Sequence, residues 1–222
     1  MKFLRIPLLI VLGLALALPF YAQTSQPTET SLSYGLVVDN SGSLRPIMKR
    51  IIQASKNVVV GNKVNDETFI IRFVSSDEIE RSADFTQNKT VLNNAIEKFE
   101  PRGGQTAIID ALYLSAEYLA QKGKSADQNR RRALVLITDG EDRDSYYKME
   151  QLLELLKKEK IAVYVIRFPN EVKESSGKKS FQKATEFISI ITKETGGSAF
   201  IVEKKEQIEE IANGFLDKIR QP

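Results

Sequence analysis

The sequence predicts a layered α/β fold around a mostly parallel sheet, and three observations carry that expectation. From Leu32 onward, short β-branched runs alternate with amphipathic stretches of helical period. Two of those runs, Ala133-Leu134-Val135-Leu136-Ile137 and Ile161-Ala162-Val163-Tyr164-Val165-Ile166, are uncharged throughout, the pattern of strands covered on both faces. The chain has 222 residues, 42% hydrophobic and 27% charged, enough to bury a full core.

The elements follow in order. Residues 33–39 form the first strand, with Gly35-Leu36-Val37-Val38 running into Asp39. A helix comes next, with Pro46 tolerated in its first turn and Ile47, Met48, Ile51, Ile52 and Val59 on one face. Residues 67–74 make a second strand, and residues 78–83, short and charged, suit an edge strand. Residues 88–99 and 106–121 read as helices; the second is apolar nearly all round and is expected to be buried. A buried strand over 132–138 precedes a helix over 145–158, and another buried strand spans 161–167. After a polar loop over 169–180 come a helix over 181–195, a terminating Gly196-Gly197 and a last strand over 198–202. A single closing helix is expected over 204–220, with Ile208, Ile211, Ala212, Phe215 and Ile219 on one stripe. Strands separated by helices run parallel, so the loops at their carboxyl ends share one edge, where a binding site is expected.

Three zeros limit the chemistry available. There is no cysteine, no histidine and no tryptophan. Histidine-based triads, thiolate nucleophiles, zinc ribbons, iron–sulfur clusters and disulfides are therefore excluded. Oxygen ligands remain, and they suit hard cations such as Mg²⁺ and Ca²⁺.

Residues 1–22 read as an export signal: Lys2 and Arg5 give a positive start, and residues 8–18 form an uncharged apolar core. Cleavage after Ala22 would leave Phe20 where a small residue is preferred, while Ala15 and Ala17 offer another fit. The rival reading is an uncleaved anchor, which is the one case for membrane association, although residues 6–22 are short for a bilayer span. Residues 23–31 are a polar linker, and residues 32–220 form the folded domain. Without Lys2 and Arg5, the 32 basic residues fall to 30 against 29 acidic, a mature net charge of +1. No long basic run points to nucleic acid, and Arg130-Arg131-Arg132 and Lys157-Lys158 are expected to be solvated surface.

Three polar segments fall on the shared edge: Asp39-Asn40-Ser41-Gly42-Ser43, Gly103-Gly104-Gln105-Thr106 and Thr138-Asp139-Gly140-Glu141-Asp142. Asp39 and Asp139 end strands that can be neighbours, so their carboxylates can converge. Ser41 and Ser43 are two apart, which lets both hydroxyls face one point; Gly42 and Gly103-Gly104 are expected to allow tight turning and the approach of Thr106. Two carboxylates and three hydroxyls make an all-oxygen cradle suited to Mg²⁺. Asp110 either orients this site from behind or sits at a helix start for the dipole; Glu141, Asp142 and Asp144 either add a second cation, repel unsuitable partners or form a solvated cap. Asn88-Lys89-Thr90 matches a glycosylation sequon, read as incidental. The 169–180 loop follows a parallel strand onto the same edge and is the candidate for partner specificity.

This set closely resembles the von Willebrand factor type A (VWA) domain with its metal-ion-dependent adhesion site, across about residues 32–220. The resemblance implies a three-layer, doubly wound, Rossmann-like fold with a six-stranded sheet and one antiparallel edge strand, for which residues 78–83 are the candidate. It implies Mg²⁺, with Mn²⁺ or Ca²⁺ as alternatives, bound directly by Ser41 and Ser43. Thr106 would bind directly or through water, and Asp39 and Asp139 largely through water. A partner's Asp or Glu would fill one remaining position. The run Gly-Gly-Gln-Thr-Ala-x-x-Asp-Ala-Leu also resembles the bacterial subgroup typified by acidobacterial VWA-related proteins.

The leading functional expectation is an exported, divalent-cation-dependent protein-binding or adhesion module in the periplasm or outside the cell, and not an enzyme. One alternative is a metal-dependent hydrolase with Asp139 or Asp142 as base. It lacks a histidine to shuttle protons, and Ser41 stands where an Asp-x-Asp nucleophile pair needs its second carboxylate. Another is an envelope assembly subunit working with a separate ATPase.

Overall fold

The computed structural model describes residues 30–124, 129–169, 178–212 and 214–221. The expected leader, all but the last two residues of the linker, and residues 170–177 of the polar loop lie outside the described residues.

Six strands form one sheet: β1 (Ser31–Asp39), β2 (Glu67–Phe73), β3 (Ile79–Thr86), β4 (Arg130–Thr138), β5 (Ile161–Arg167) and β6 (Ala199–Ile201). Their order is β3-β2-β1-β4-β5-β6. All neighbours are parallel except β3, which runs antiparallel to β2 at the edge. The sequence reading of a mostly parallel sheet with one antiparallel edge strand therefore holds, and β3 extends three residues beyond its expected end.

Side-chain alternation along the strands builds the layers. Leu32, Tyr34, Leu36 and Val38 of β1 face one core with Ala133, Val135 and Ile137 of β4. That core is closed by helices α1 (Met48–Val60), α2 (Lys89–Ile96) and the carboxyl-terminal pair described below. Val37, Leu134 and Leu136 face the other core, under α3 (Ile108–Lys122), α4 (Met149–Lys158) and α5 (Lys178–Thr195). Helices cover both faces, which is why the central strands carry no polar alternation.

Where the elements differ from the sequence reading, local hydrogen bonds explain why. The first helix opens as a 3-10 turn, Gly42–Ile47, containing Pro46, because Leu44 N–H bonds the Ser41 carbonyl at 3.1 Å. Helix α4 begins at Met149, four residues late. The preceding N–H groups of Tyr146 and Tyr147 are held instead by the Asp110 carboxylate at 2.9 and 2.8 Å. The closing helix is two, α6 (Glu206–Ala212) and α7 (Phe215–Arg220), separated by Gly214 at φ 157°, ψ 7°. Asn88 of the sequon caps α2, accepting from the N–H groups of Thr90 and Val91. Arg132 is buried rather than solvated: it donates to the carbonyls of Lys124 (3.1 Å) and Gly123 (3.4 Å) and pairs with Glu159. Among the described residues no helix is long and apolar enough to cross a membrane.

Candidate functional site

β1 and β4 lie side by side at the centre of the sheet, where chain progression diverges toward the two edges, and open-sheet ligands sit at the carboxyl ends of such strands. Asp39 ends β1, and Asp139 follows β4 directly. Asp39 Oδ1 accepts the Ser41 N–H at 2.9 Å, and Oδ2 accepts the Thr138 hydroxyl at 2.7 Å from the neighbouring strand. The 3-10 turn brings Ser43 back beside Ser41, their hydroxyl oxygens 3.0 Å apart, and Ser43 Oγ donates to Asp139 Oδ2 at 2.9 Å. Asp139 Oδ1 accepts the Glu141 N–H at 3.2 Å. A continuous hydrogen-bonded chain thus links Asp39, Ser41, Ser43 and Asp139.

Thr106, buried like both aspartates, arrives from the loop before α3. Its carbonyl accepts the N–H groups of Arg143 (2.7 Å) and Asp144 (3.2 Å), which fastens it to the loop carrying Asp139, and Ala107 N–H bonds the Val74 carbonyl at 3.0 Å. Gly104, in the loop before Thr106, is a glycine that its geometry requires. It sits at φ 152°, and a Cβ there would meet Val74 Cγ1 at 2.4 Å.

Burial pushes the Asp39 carboxyl up to about 7, and the charge of Asp139 adds to that rise; the Ser41 N–H and the Thr138 hydroxyl oppose it. Two carboxylates sharing a buried space are the situation a cation relieves. The spacing fits as well: two oxygens bound to Mg²⁺ at right angles, at 2.0–2.1 Å each, are about 3 Å apart, as Ser41 Oγ and Ser43 Oγ are. Among the described residues no group of three or more His, Cys, Asp or Glu is gathered around one point. A metal here would rest on two carboxylates supplemented by hydroxyls.

The other polar residues have their own tasks. Asp110 touches neither Asp39 nor the serines; both its oxygens hold the turn at Tyr146-Tyr147. Asp142 Oδ1 caps α3, accepting the Ile109 N–H at 3.1 Å and the Ser145 hydroxyl at 2.6 Å. Glu141 accepts the Ser180 hydroxyl at 2.7 Å and pairs with Arg143.

Three supporting residues escaped sequence reasoning. Thr138 gives its hydroxyl to Asp39. Asn40, wholly buried, ties its loop to the next: its carbonyl accepts the Arg102 N–H at 2.8 Å and its Nδ2 donates to the Glu100 carbonyl at 3.1 Å. Arg167 donates from Nε to the Asp139 carbonyl at 3.2 Å and from NH1 to Thr185 at 2.9 Å, with its guanidinium 4.5 Å from the Phe181 ring. A charged residue ending an otherwise uncharged strand was the available signal for Arg167.

The family model of the von Willebrand factor type A domain matches residues 35–214, from within β1 past the end of α6. The chain belongs to that family. Among solved structures, the VWA domain here is similar to an aerotolerance-related membrane protein from Bacteroides fragilis (TM-score 0.62, 20% identity, covering 84% of this chain and 99% of that one). It is similar to BatB, a conserved hypothetical protein from Bacteroides thetaiotaomicron (TM-score 0.61, 16% identity, 86% and 100% covered). It also resembles the pilus adhesin SpaC from Lactobacillus rhamnosus in its open conformation (TM-score 0.64, 14% identity, 88% and 30% covered). At these identities the likeness is one of fold. No curated protein matches in sequence.

Proposed function

We propose that this VWA domain is a divalent-cation-dependent protein-binding module of the cell envelope, with Mg²⁺ held by Ser41, Ser43, Thr106, Asp39 and Asp139. The observation that carries the reading is the hydrogen-bonded chain from Asp39 through Ser41 and Ser43 to Asp139 on one sheet edge. When bound, the ion supplies a Lewis-acidic position that a partner's Asp or Glu carboxylate completes. The chain's own part is orientation: Thr138 and the Ser41 N–H fix the Asp39 carboxylate, and the 3-10 turn presents both hydroxyls together. Desolvating a partner carboxylate is costly, so flanking contacts must contribute to affinity.

The reading is non-catalytic: the site has carboxylates and hydroxyls but no imidazole to carry protons. Exported, envelope-located function is supported by the leader-like residues 1–22 and by structural neighbours described as a membrane protein and a pilus adhesin. Affinity capture from an envelope extract in Mg²⁺, with elution by chelator, tests it. Asp39→Ala is expected to retain its circular dichroism spectrum while losing capture. Undiminished capture in chelator would overturn the metal mechanism.

A further inference from the structure

The segment from Asp139 to Glu150 carries three tyrosine-associated features unrelated to the metal cradle. The exposed Tyr146 ring (81% accessible) stands edge-to-face on Tyr147, with centroids 5.6 Å apart at 84°. Tyr147 stacks in turn on Tyr113 of α3 at 3.8 Å and 12°. The backbone beneath is fixed by buried Asp110, whose two oxygens take the N–H groups of both Tyr146 and Tyr147. An exposed aromatic ring on a mobile loop carries little meaning, but this one leans on a stacked ring pair over a backbone held by Asp110, which lowers the ordering entropy spent on contact.

Its placement and charge point to a partner. Asp110 lies four residues beyond Thr106, in the first turn of α3, and Arg143 and Asp144 bond the Thr106 carbonyl. The platform therefore flanks the partner-facing edge. Residues 139–150 hold five carboxylates (Asp139, Glu141, Asp142, Asp144, Glu150) against two cations, Arg143 and Lys148, and Arg143 is paired with Glu141. Burial and then the nearby Glu117 carboxylate hold the Tyr147 hydroxyl above its ordinary range, which marks the same surroundings as negative. An open aromatic face carried by a segment rich in carboxylates favours a planar cation over an apolar or acidic side chain.

We propose that Tyr146, on its Tyr147–Tyr113 stack, is a docking platform for an arginine of the partner segment, next to the acidic residue that the metal site takes. The platform deepens the proposed metal-dependent binding and rests on that reading for the position of the partner. Tyrosine and arginine are the side chains that most often anchor interfaces, and the metal edge is otherwise hydrophilic.

Fluorescence anisotropy with the full chain tests this. The probes are labelled Gly/Ser nonapeptides with a central Asp and an arginine, or its neutral isostere citrulline, at each position within four residues of it. In Mg²⁺, at least one arginine register is expected to bind about three- to fivefold tighter than its citrulline twin. That advantage is expected to vanish in Tyr146→Ala and to persist in Tyr146→Phe, which keeps the ring; exposure of Tyr146 makes both variants safe for folding, checked by circular dichroism. Equal binding of arginine and citrulline peptides in every register, or an advantage that survives in Tyr146→Ala, overturns the platform. Mg²⁺-dependent binding without an arginine advantage keeps the metal reading and rejects the platform. An arginine advantage that needs Tyr146 and is the same in chelator keeps the platform and rejects the metal reading, and no binding by any peptide rejects both.

Discussion

At Asp39, burial and the proximity of Asp139 set the protonation state, and that has consequences in solution. With its carboxyl raised to about 7, the ion-free folded domain holds a proton that the unfolded chain has already released above about pH 4. The corresponding stability is fully present below pH 4 and is lost as pH rises to about 7. Urea denaturation in chelator at pH 5 and pH 8 is expected to show this loss, and Asp39→Asn, which carries no such proton, should remove most of it. A bound cation must also displace the proton, so Mg²⁺ affinity by calorimetry is expected to fall by up to about tenfold per pH unit below 7 and to level off above it. Thr138→Val takes away a hydroxyl that favours the ionised form, so it should move that midpoint upward and weaken Mg²⁺ at neutral pH. An unchanged midpoint would mean that the Thr138 hydroxyl does not govern Asp39.

Between elements, a close joint forms where the Asp139 loop meets α5. Gly140 lies at φ 93°, and a Cβ there would meet Ile188 Cδ1 at 2.8 Å and Ala184 Cβ at 3.2 Å. Gly140→Ala therefore combines backbone strain with overpacking. It is expected to cost about 2–4 kcal/mol in chemical denaturation and to lower Mg²⁺ affinity by displacing Asp139; wild-type stability and affinity together would show that α5 gives way freely. The sequence made much of this architecture readable, because alternation period and aliphatic runs report directly on burial. β5 matches its expected bounds, and Asp39 and Asp139 stand at the ends of neighbouring strands. Less readable were features decided by tertiary partners. Helix α4 loses its expected first turn because Asp110, distant in sequence, takes the N–H groups of Tyr146 and Tyr147. The carboxyl-terminal stripe kept its helical period across two helices, and only the Asn213-Gly214 turn signal spoke against continuity. Asp110 is a further case: its spacing from Thr106 is visible in a sequence, whereas the direction in which a carboxylate finds its donors is not.

Across the whole molecule, the sheet separates the edge of the proposed metal site from one that closes the chain. At the amino end of β1, buried Asp66 accepts the N–H groups of Leu32 (2.7 Å) and Lys63 (2.8 Å) and pairs with buried Arg220 of α7. Nearby, the Tyr34 hydroxyl donates to Asn62 at 2.6 Å, and Asn62 donates to Thr68 at 3.0 Å. The carboxyl-terminal helix is thus fastened to the start of the first strand. Asp66→Ala leaves two backbone donors unmet and the buried Arg220 guanidinium with Asp217 and the Gly61 carbonyl as its remaining partners, and is expected to cost up to about 3–5 kcal/mol. Arg220→Met leaves the carboxylate its two N–H donors and replaces the charge with a side chain that fills the space, so it should cost less. From Leu32 to Asp39 the strand rises about 23 Å at roughly 3.3 Å per residue, and the intervening residues are among the most buried in the chain. A rigid sheet of that depth confines the loss to stability: the folded fraction of Asp66→Ala should bind Mg²⁺ with wild-type affinity, measured at low temperature where folding is complete. Weakened Mg²⁺ binding in fully folded Asp66→Ala would instead show that the closure at one edge tunes the cradle at the other, through β1 itself.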